Sequence, residues 1–132
     1  MFFVHVLDHN VLRRYKLNGN FVSIASNGHL VATPNPVSST TYFWEQYQND
    51  GTYTLTAQNA GKYMCRADNN YIEGISAPSA SQWSTCIYHG ETDGRRYVRF
   101  RADNGKYLCL SSFEYYITAS SDFTTSCDFE LA

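Results

Sequence analysis

The chain repeats one phrase three times. Gly19-Asn20-Phe21-Val22-Ser23-Ile24 returns as Gly61-Lys62-Tyr63-Met64-Cys65-Arg66 and again as Gly105-Lys106-Tyr107-Leu108-Cys109-Leu110, at spacings of 42 and 44 residues. A repeat of this length is a supersecondary unit that cannot bury its apolar side alone. The 132 residues are enough for a single domain with a modest core. Three copies in so short a chain must share a core around a pseudo-threefold axis or stack as a short array.

The punctuation between the repeats is that of hairpins. Asn18-Gly19, Asn27-Gly28, Asp50-Gly51, Asp93-Gly94 and Asn104-Gly105 are pairs that reach positive φ at little cost, as tight hairpins require. Between them Tyr53-Thr54-Leu55-Thr56-Ala57 and Tyr97-Val98-Arg99-Phe100-Arg101 alternate with period two. No stretch keeps a helical period beyond two turns, so the chain reads as all-β. Each repeat divides into four short strands. Repeat 3 holds Tyr97–Ala102, Tyr107–Leu110, Tyr115–Ala119 and Cys127–Leu131. Repeat 2 holds Tyr53–Ala57, Tyr63–Arg66, Tyr71–Ser76 and Thr85–Tyr88. Repeat 1 holds Phe21–Ile24, Leu30–Thr33 and Tyr42–Tyr47, preceded by Val11–Leu17, whose alternation Arg13 and Arg14 spoil. Twelve short strands in three four-strand units form a β-trefoil with pseudo-threefold symmetry, in which closing the barrel removes exposed sheet edges.

On this reading residues 1–132 are one domain, with repeats at about 10–50, 51–93 and 94–132 and an extra N-terminal strand in 1–9. Leu55 and Phe100 face inward from first strands, and Val22, Met64 and Leu108 from second strands. Ile75 and Ala119 serve the third strands, and Trp44, Tyr88 and Phe129 the fourth. Phe2–Leu7 is left over. It pairs with the barrel's closing strand, pairs with another chain, or is the true first strand with an insertion after it.

Composition narrows the partners. The net charge of −2 gives no global attraction to nucleic acid or anionic membrane. Aromatic residues make up 16% of the chain, and eleven of them are tyrosine, which suits both half-buried strands and binding surfaces. Met1–Asp8 has no basic start or cleavage site, so it is a poor secretory signal. No run is long enough to span a membrane, and no Asn-x-Ser/Thr sequon is present. The expectation is a soluble chain, either intracellular or mature without its leader, with no membrane insertion of its own.

The four cysteines allow three pairings. Cys65 and Cys109 occupy equivalent second-strand positions, where repeat 1 has Ser23. Cys86 and Cys127 occupy equivalent fourth-strand positions, where repeat 1 has Tyr42. Repeats 2 and 3 hold both cysteines and repeat 1 neither. That co-occurrence favours pairing within each repeat, Cys65 with Cys86 and Cys109 with Cys127. The alternative is four buried thiols acting as small apolar residues. No Cys-x-x-Cys pair suggests zinc.

Signatures of catalysis are lacking. There is no Gly-x-Ser-x-Gly elbow, His-Glu-x-x-His, phosphate loop or dinucleotide fingerprint. His5 and His9 are spaced for a metal only on a helix. Cys86 and His89 are close in sequence, but a nucleophile placed before a core strand is inaccessible. Glu73 and Glu114 form a conceivable glycosidase carboxylate pair, which the symmetry holds apart. Arg13, Arg14, Arg95, Arg96, Arg99 and Arg101 make a local basic grouping, read as a solvated barrel rim or as a contact for sulfate or phosphate. The expectation is no enzyme and no cofactor.

The wording of the repeats resembles a known family. Asp50-Gly51-Thr52-Tyr53-Thr54-Leu55 leads through Gly61-Lys62-Tyr63-Met64 to Asn70-Tyr71-Ile72, followed by Ile75-Ser76-Ala77 and Trp83-Ser84-Thr85-Cys86-Ile87-Tyr88. Repeat 3 offers Asn104-Gly105-Lys106-Tyr107-Leu108 and Tyr115-Tyr116-Ile117-Thr118-Ala119-Ser120. These segments resemble the agglutinin domain of amaranthin-like plant lectins, well in repeats 2 and 3 and weakly in repeat 1. The Gly-Lys-Tyr-Leu element alone is shared with fascin-type trefoils. The resemblance implies galactose- and N-acetylgalactosamine-type glycan binding without catalysis, at a site formed between trefoils. With one trefoil here, such a site would need self-association.

Sugar recognition needs an aromatic face for the C–H patch and short polar groups for the hydroxyls. The candidates follow the second strands: Asp68, Asn69, Asn70 and Tyr71 in repeat 2, Glu114, Tyr115 and Tyr116 in repeat 3, and Asn27 and His29 in repeat 1. Gln82-Trp83 lies on the loop that flanks the repeat 2 hairpin. Tyr71 and Tyr115 are either ligands or packing residues. Trp83 is a ligand or a staple under its loop, and Asn69 and Asn70 also serve as turn formers. The functional expectation is a lectin with glycan or glycoprotein partners, multivalent through its repeats or through a homo-oligomer. The alternatives are a fascin-like protein-interaction module or the recognition head of a pore-forming toxin.

Overall fold

The computed structural model describes Phe3–Val4 and residues 10–48, 50–94, 96–111, 115–121 and 127–132. Among these residues thirteen strands follow in chain order: β1 Phe3–Val4, β2 Val11–Leu17, β3 Asn20–Ile24, β4 Leu30–Ala32, β5 Tyr42–Tyr47, β6 Thr52–Ala57, β7 Lys62–Arg66, β8 Ile72–Ile75, β9 Tyr88–Thr92, β10 Tyr97–Arg101, β11 Tyr107–Leu110, β12 Ile117–Ser121 and β13 Phe129–Leu131. Six of them close a barrel by antiparallel pairing in the order β2, β5, β6, β9, β10, β13 and back to β2. The hairpins β3–β4, β7–β8 and β11–β12 extend from β2, β6 and β10. This is the β-trefoil that the repeats specify. Arg13 and Arg14 do not break β2, because their side chains are half-buried on the barrel wall.

Local chemistry sets the hairpins. Asn18 and Gly19 both take positive φ, 52° and 83°, as a two-residue turn twisted to match its strands requires. The threefold relation is clearest where the hairpins meet. Gly28, Asn70 and Tyr115 take the same place in the three repeats, and their carbonyls accept hydrogen bonds from Gly74, Ala119 and Ala32 of a neighbouring repeat at 2.9, 2.8 and 3.0 Å. Each repeat therefore donates to one neighbour and accepts from the other.

The core fills the barrel and the hairpin cap. Tyr15, Leu55 and Phe100 come from first strands, and Val22, Met64 and Leu108 from second strands. Leu30, Ile72 and Ile117 come from third strands, and Phe43, Tyr88 and Phe129 from fourth strands. Two expected core residues sit elsewhere. Ile75 is only partly buried, and its intended place is held by Gly74, the counterpart of Ala32 and Ala119. A Cβ at Gly74 would lie 3.1 Å from Lys62 Cδ and 3.3 Å from Met64 Cε, so only a small residue suits this convergence. Trp44 is partly buried, while Phe43 and Glu45 are 1% and 0% exposed. The strand keeps its period but points the carboxylate inward. Tyr15 Oη donates to Glu45 Oε1, and Arg13 Nε donates to Oε2 at 3.4 Å. Burial next to that carboxylate pushes the Tyr15 hydroxyl well above its ordinary pKa.

Several strand boundaries move, most of them by a single residue. The expected strand Thr85–Tyr88 is instead a 3-10 turn, Trp83–Cys86, followed by β9. Trp83 N and Gln82 N both donate to Ser79 O at 3.0 Å, which winds this segment. β13 begins at Phe129, not at Cys127. β12 begins at Ile117, because Tyr115 has φ +64° and leaves extended geometry. The backbone of Phe3–Val4 pairs antiparallel with Thr92 and Glu91 of β9, and the rest of the expected strand Phe2–Leu7 lies outside the described residues. Both cysteine pairs are bridged within their repeats, Cys65 to Cys86 and Cys109 to Cys127.

Candidate functional site

A cleft of about 450 Å³ opens on repeat 2, between the β7–β8 hairpin and the loop that carries the Trp83–Cys86 turn. The Cys65–Cys86 bridge fastens that loop to β7. Trp83 packs on Tyr63 with ring centroids 5.5 Å apart, so it staples the loop to the strand. Asp68, Glu73, Gln82, Ser81 and Thr85 line the cleft with polar groups, and Ile75 adds an apolar patch.

Arg66 forms the back of this cleft. It stands where repeats 1 and 3 have Ile24 and Leu110. Its Nε and Nη2 donate to both oxygens of Asp103 at 2.7 and 2.9 Å, and its Nη1 donates to Asn70 Oδ1 at 3.1 Å. The paired guanidinium holds the Asp103 carboxyl below the usual carboxylate range. Asn70 is therefore a scaffold residue, with φ +67° and a second donor, Asn104 Nδ2, at 3.4 Å. Asn69 Oδ1 accepts from Tyr71 N at 3.1 Å, an Asx turn.

Next to the cleft the structure joins candidates that the sequence places in separate repeats. His29, Tyr71 and Tyr116 come from equivalent positions and meet on the pseudo-threefold axis. The ring centroids are 5.3 Å apart for His29–Tyr71, 5.0 Å for His29–Tyr116 and 5.1 Å for Tyr71–Tyr116. Asn27 caps the group: its Nδ2 donates to Tyr116 Oη at 3.1 Å, and its Oδ1 accepts from His29 N. His29 Nε2 lies 3.8 Å from Glu73 Oε1, so Glu73 connects the axial rings to the cleft. Tyr115 stands apart, 48% exposed at its left-handed turn. Glu114 lies outside the described residues, as do Arg95, His5 and His9.

Asp68 is the predicted ligand that reaches the cleft directly. Glu73 was legible only as half of a carboxylate pair, and Gln82 only as a flank to Trp83. Arg66 carried a usable signal, a charge in a slot that is aliphatic in the other repeats. Among the described residues no cluster of three His, Cys, Asp or Glu side chains is arranged to hold a metal ion, and no helix is long and apolar enough to cross a membrane.

No protein-family model matches the chain, and no curated protein sequence matches it. Among solved structures, the fold is similar to part of a GlcNAcα1-4Gal-releasing endo-β-galactosidase from Clostridium perfringens. The likeness covers 92% of this chain with a TM-score of 0.71 and 20% identity, which is a likeness of fold. The chain spans 31% of that enzyme's length.

Proposed function

We propose that this chain is a non-catalytic carbohydrate-binding module whose principal site is the repeat 2 cleft. The observation that carries this reading is the cleft's lining. Two carboxylates, an amide and two hydroxyls surround an apolar patch in an opening of about 450 Å³. Sugars are recognised by short polar groups that engage several hydroxyls at once, beside a surface for the C–H face. The cleft wall is held by a disulfide and a ring contact, so little ordering is required on binding.

Galactose is the sugar to test first. The repeats resemble galactose- and N-acetylgalactosamine-binding lectins, and the enzyme that shares the fold is named for a galactose-containing product. In that enzyme the matching part is under a third of the chain, a proportion that fits a binding module attached to a separate catalytic domain. Titration with galactose, N-acetylgalactosamine and their oligosaccharides is expected to show saturable binding and no hydrolysis. Asp68→Ala and Gln82→Ala should each weaken it by about tenfold, the loss of one hydrogen bond to a charged or polar group, with the melting temperature unchanged in Asp68→Ala and somewhat lowered in Gln82→Ala, whose Oε1 accepts from Ser79 N at 3.0 Å. Unaltered affinity in both variants moves the site elsewhere. Sedimentation with actin filaments in the absence of any glycan binding would replace the lectin reading with the fascin-like one.

A further inference from the structure

The rim arginines differ in what they touch. Arg13 pairs with Glu45 at 3.4 Å, Arg99 with Asp128 at 2.7 Å and Arg96 with Glu130 at 3.7 Å. The Arg14 guanidinium lies over the rings of Phe21 and Tyr42, at 4.5 and 5.2 Å, and its Nε too is buried without a hydrogen-bond partner. Arg101 makes no ion pair or ring contact among the described residues, and its Nε is buried with no hydrogen-bond partner. A buried guanidinium N–H without an acceptor is costly and rare.

Arg101 has a histidine neighbour. It is the direct cross-strand partner of His89 in the β9–β10 ladder, which puts both side chains on one face. The burial alternation makes that the outer face, with Tyr88, Gly90 and Phe100 turned inward. Both side chains line a second cleft, of about 310 Å³, with Ser84 and Gly105 at its edges. The acid in its wall, Asp103, is already engaged by both guanidinium arms of Arg66. Two further carboxylates stand near His89: Asp50, whose Oδ1 accepts from Thr52 N and Oγ1, and Glu91 on the same face, whose Oε1 accepts from Tyr107 Oη at 2.6 Å. The two clefts flank the Trp83–Cys86 turn and the Arg66–Asp103 bridge, since Arg66 and Thr85 line the first and Asp103 and Ser84 the second.

We infer that this second cleft is an oxyanion site, in which Arg101 and His89 donate to a sulfate ester or carboxylate group. The identity of the carrier as an acidic glycan rests on the carbohydrate reading above. The anion site itself rests on Arg101 and His89. Guanidinium donors match planar and tetrahedral oxyanions, and a charge-assisted hydrogen bond is stronger than a neutral one.

The test uses the full chain and two sets of probes. Inorganic sulfate is titrated against chloride at matched ionic strength, following the backbone amide resonances of Ser84, His89 and Gly105 that line the cleft. A saturable shift with sulfate alone is expected. Arg101→Gln should abolish it, Arg101→Lys should weaken it by about tenfold or more, and Arg96→Gln should leave it intact. Because the orphaned N–H is removed, Arg101→Gln should melt no lower than the wild type. In the second set, neutral, sulfated and uronate-bearing galactose oligosaccharides are compared. One or both acidic forms should bind about tenfold more tightly than the neutral form, and Arg101→Gln should erase the preference while sparing neutral affinity. Sulfate and chloride giving the same response, or an acidic preference that survives Arg101→Gln, overturns the site. Neutral sugars binding with no acidic preference removes the subsite and leaves the first cleft standing. Sulfate binding at Arg101 with no glycan bound at all supports the anion site and removes the carbohydrate reading.

Discussion

Asp103 ties the loop between β10 and β11 to repeat 2 through Arg66, across 37 residues of sequence. Its carboxyl titrates below the usual range because Arg66 donates two hydrogen bonds to the ionised form. A group whose folded pKa lies below its unfolded value of about 3.9 stabilises the fold fully above that value. The contribution disappears as the pH falls through the lower, folded value. Asp103→Asn should therefore destabilise the protein at neutral pH, and its deficit against the wild type should shrink below about pH 4. Denaturant titrations across that range measure it, and a deficit independent of pH would remove the ion pair as its cause. Tyr115 presents a different residue-level tension. Its φ of +64° matches that of Asn70 at +67°, and Gly28 holds the third equivalent place at +88°. Left-handed backbone costs a non-glycine residue about 1–2 kcal/mol, less for asparagine. Tyr115→Asn should stabilise by about 0.5–1 kcal/mol, seen as a rise in melting temperature. A fall instead would show that contacts of the ring outweigh the strain. If the variant is more stable but binds glycan less well, the exposed ring serves recognition.

At the level of elements, each repeat fastens its fourth-strand approach to its second strand. Repeats 2 and 3 use disulfides, Cys65–Cys86 and Cys109–Cys127. Repeat 1 uses Thr40, whose Oγ1 accepts from Ile24 N at 3.2 Å and donates to Ile24 O at 3.0 Å. The observed core corrects the sequence alignment here. Phe43, not Trp44, corresponds to Tyr88 and Phe129, so the counterpart of Cys86 and Cys127 is Thr41, not Tyr42. Ser23 and Thr41 are 0% and 6% exposed, and Ser23 Oγ has no hydrogen-bond partner. Ser23→Cys with Thr41→Cys should form a third bridge, with the same separation of 18 residues as in repeat 3. The oxidised double variant should be about 3 kcal/mol more stable than its reduced form beyond the gain from the native bridges. Free thiols persisting after oxidation would refute the equivalence. The strands, turns and cysteine pairing were legible because they rest on local signals: alternation, Asn-Gly pairs and repeat spacing. The register of β5 was not, because a carboxylate is the residue least expected inside a barrel, and the Tyr15 and Arg13 donors that help make Glu45 tolerable there are 30 and 32 residues away. The cleft was legible only in part, since Asp68 and Glu73 face Gln82 through a loop whose path the Cys65–Cys86 bridge decides.

For the whole molecule, the decisive contacts are those between repeats. The Ala32, Gly74 and Ala119 amides each donate to a different repeat, and His29, Tyr71 and Tyr116 close over them. Three hairpins joined in this way should open together. Native-state amide exchange is expected to place those three amides in one protected class with a common opening free energy, and His29→Ala should lower all three. Exchange of one hairpin well before the others would contradict a shared unit. The carbonyl acceptors Tyr115, Gly28 and Asn70 make the pattern cyclic, repeat 1 to 3, 3 to 2 and 2 to 1. A cycle has no first member. Ala132 N donates to Arg14 O at 2.8 Å, so Ala132 lies beside β2, the strand that opens repeat 1. Joining the two and cutting between any pair of repeats would preserve every donor and acceptor in the ring. A repeat excised alone would keep one of each unfilled, and two further copies of itself would be needed to complete the circle.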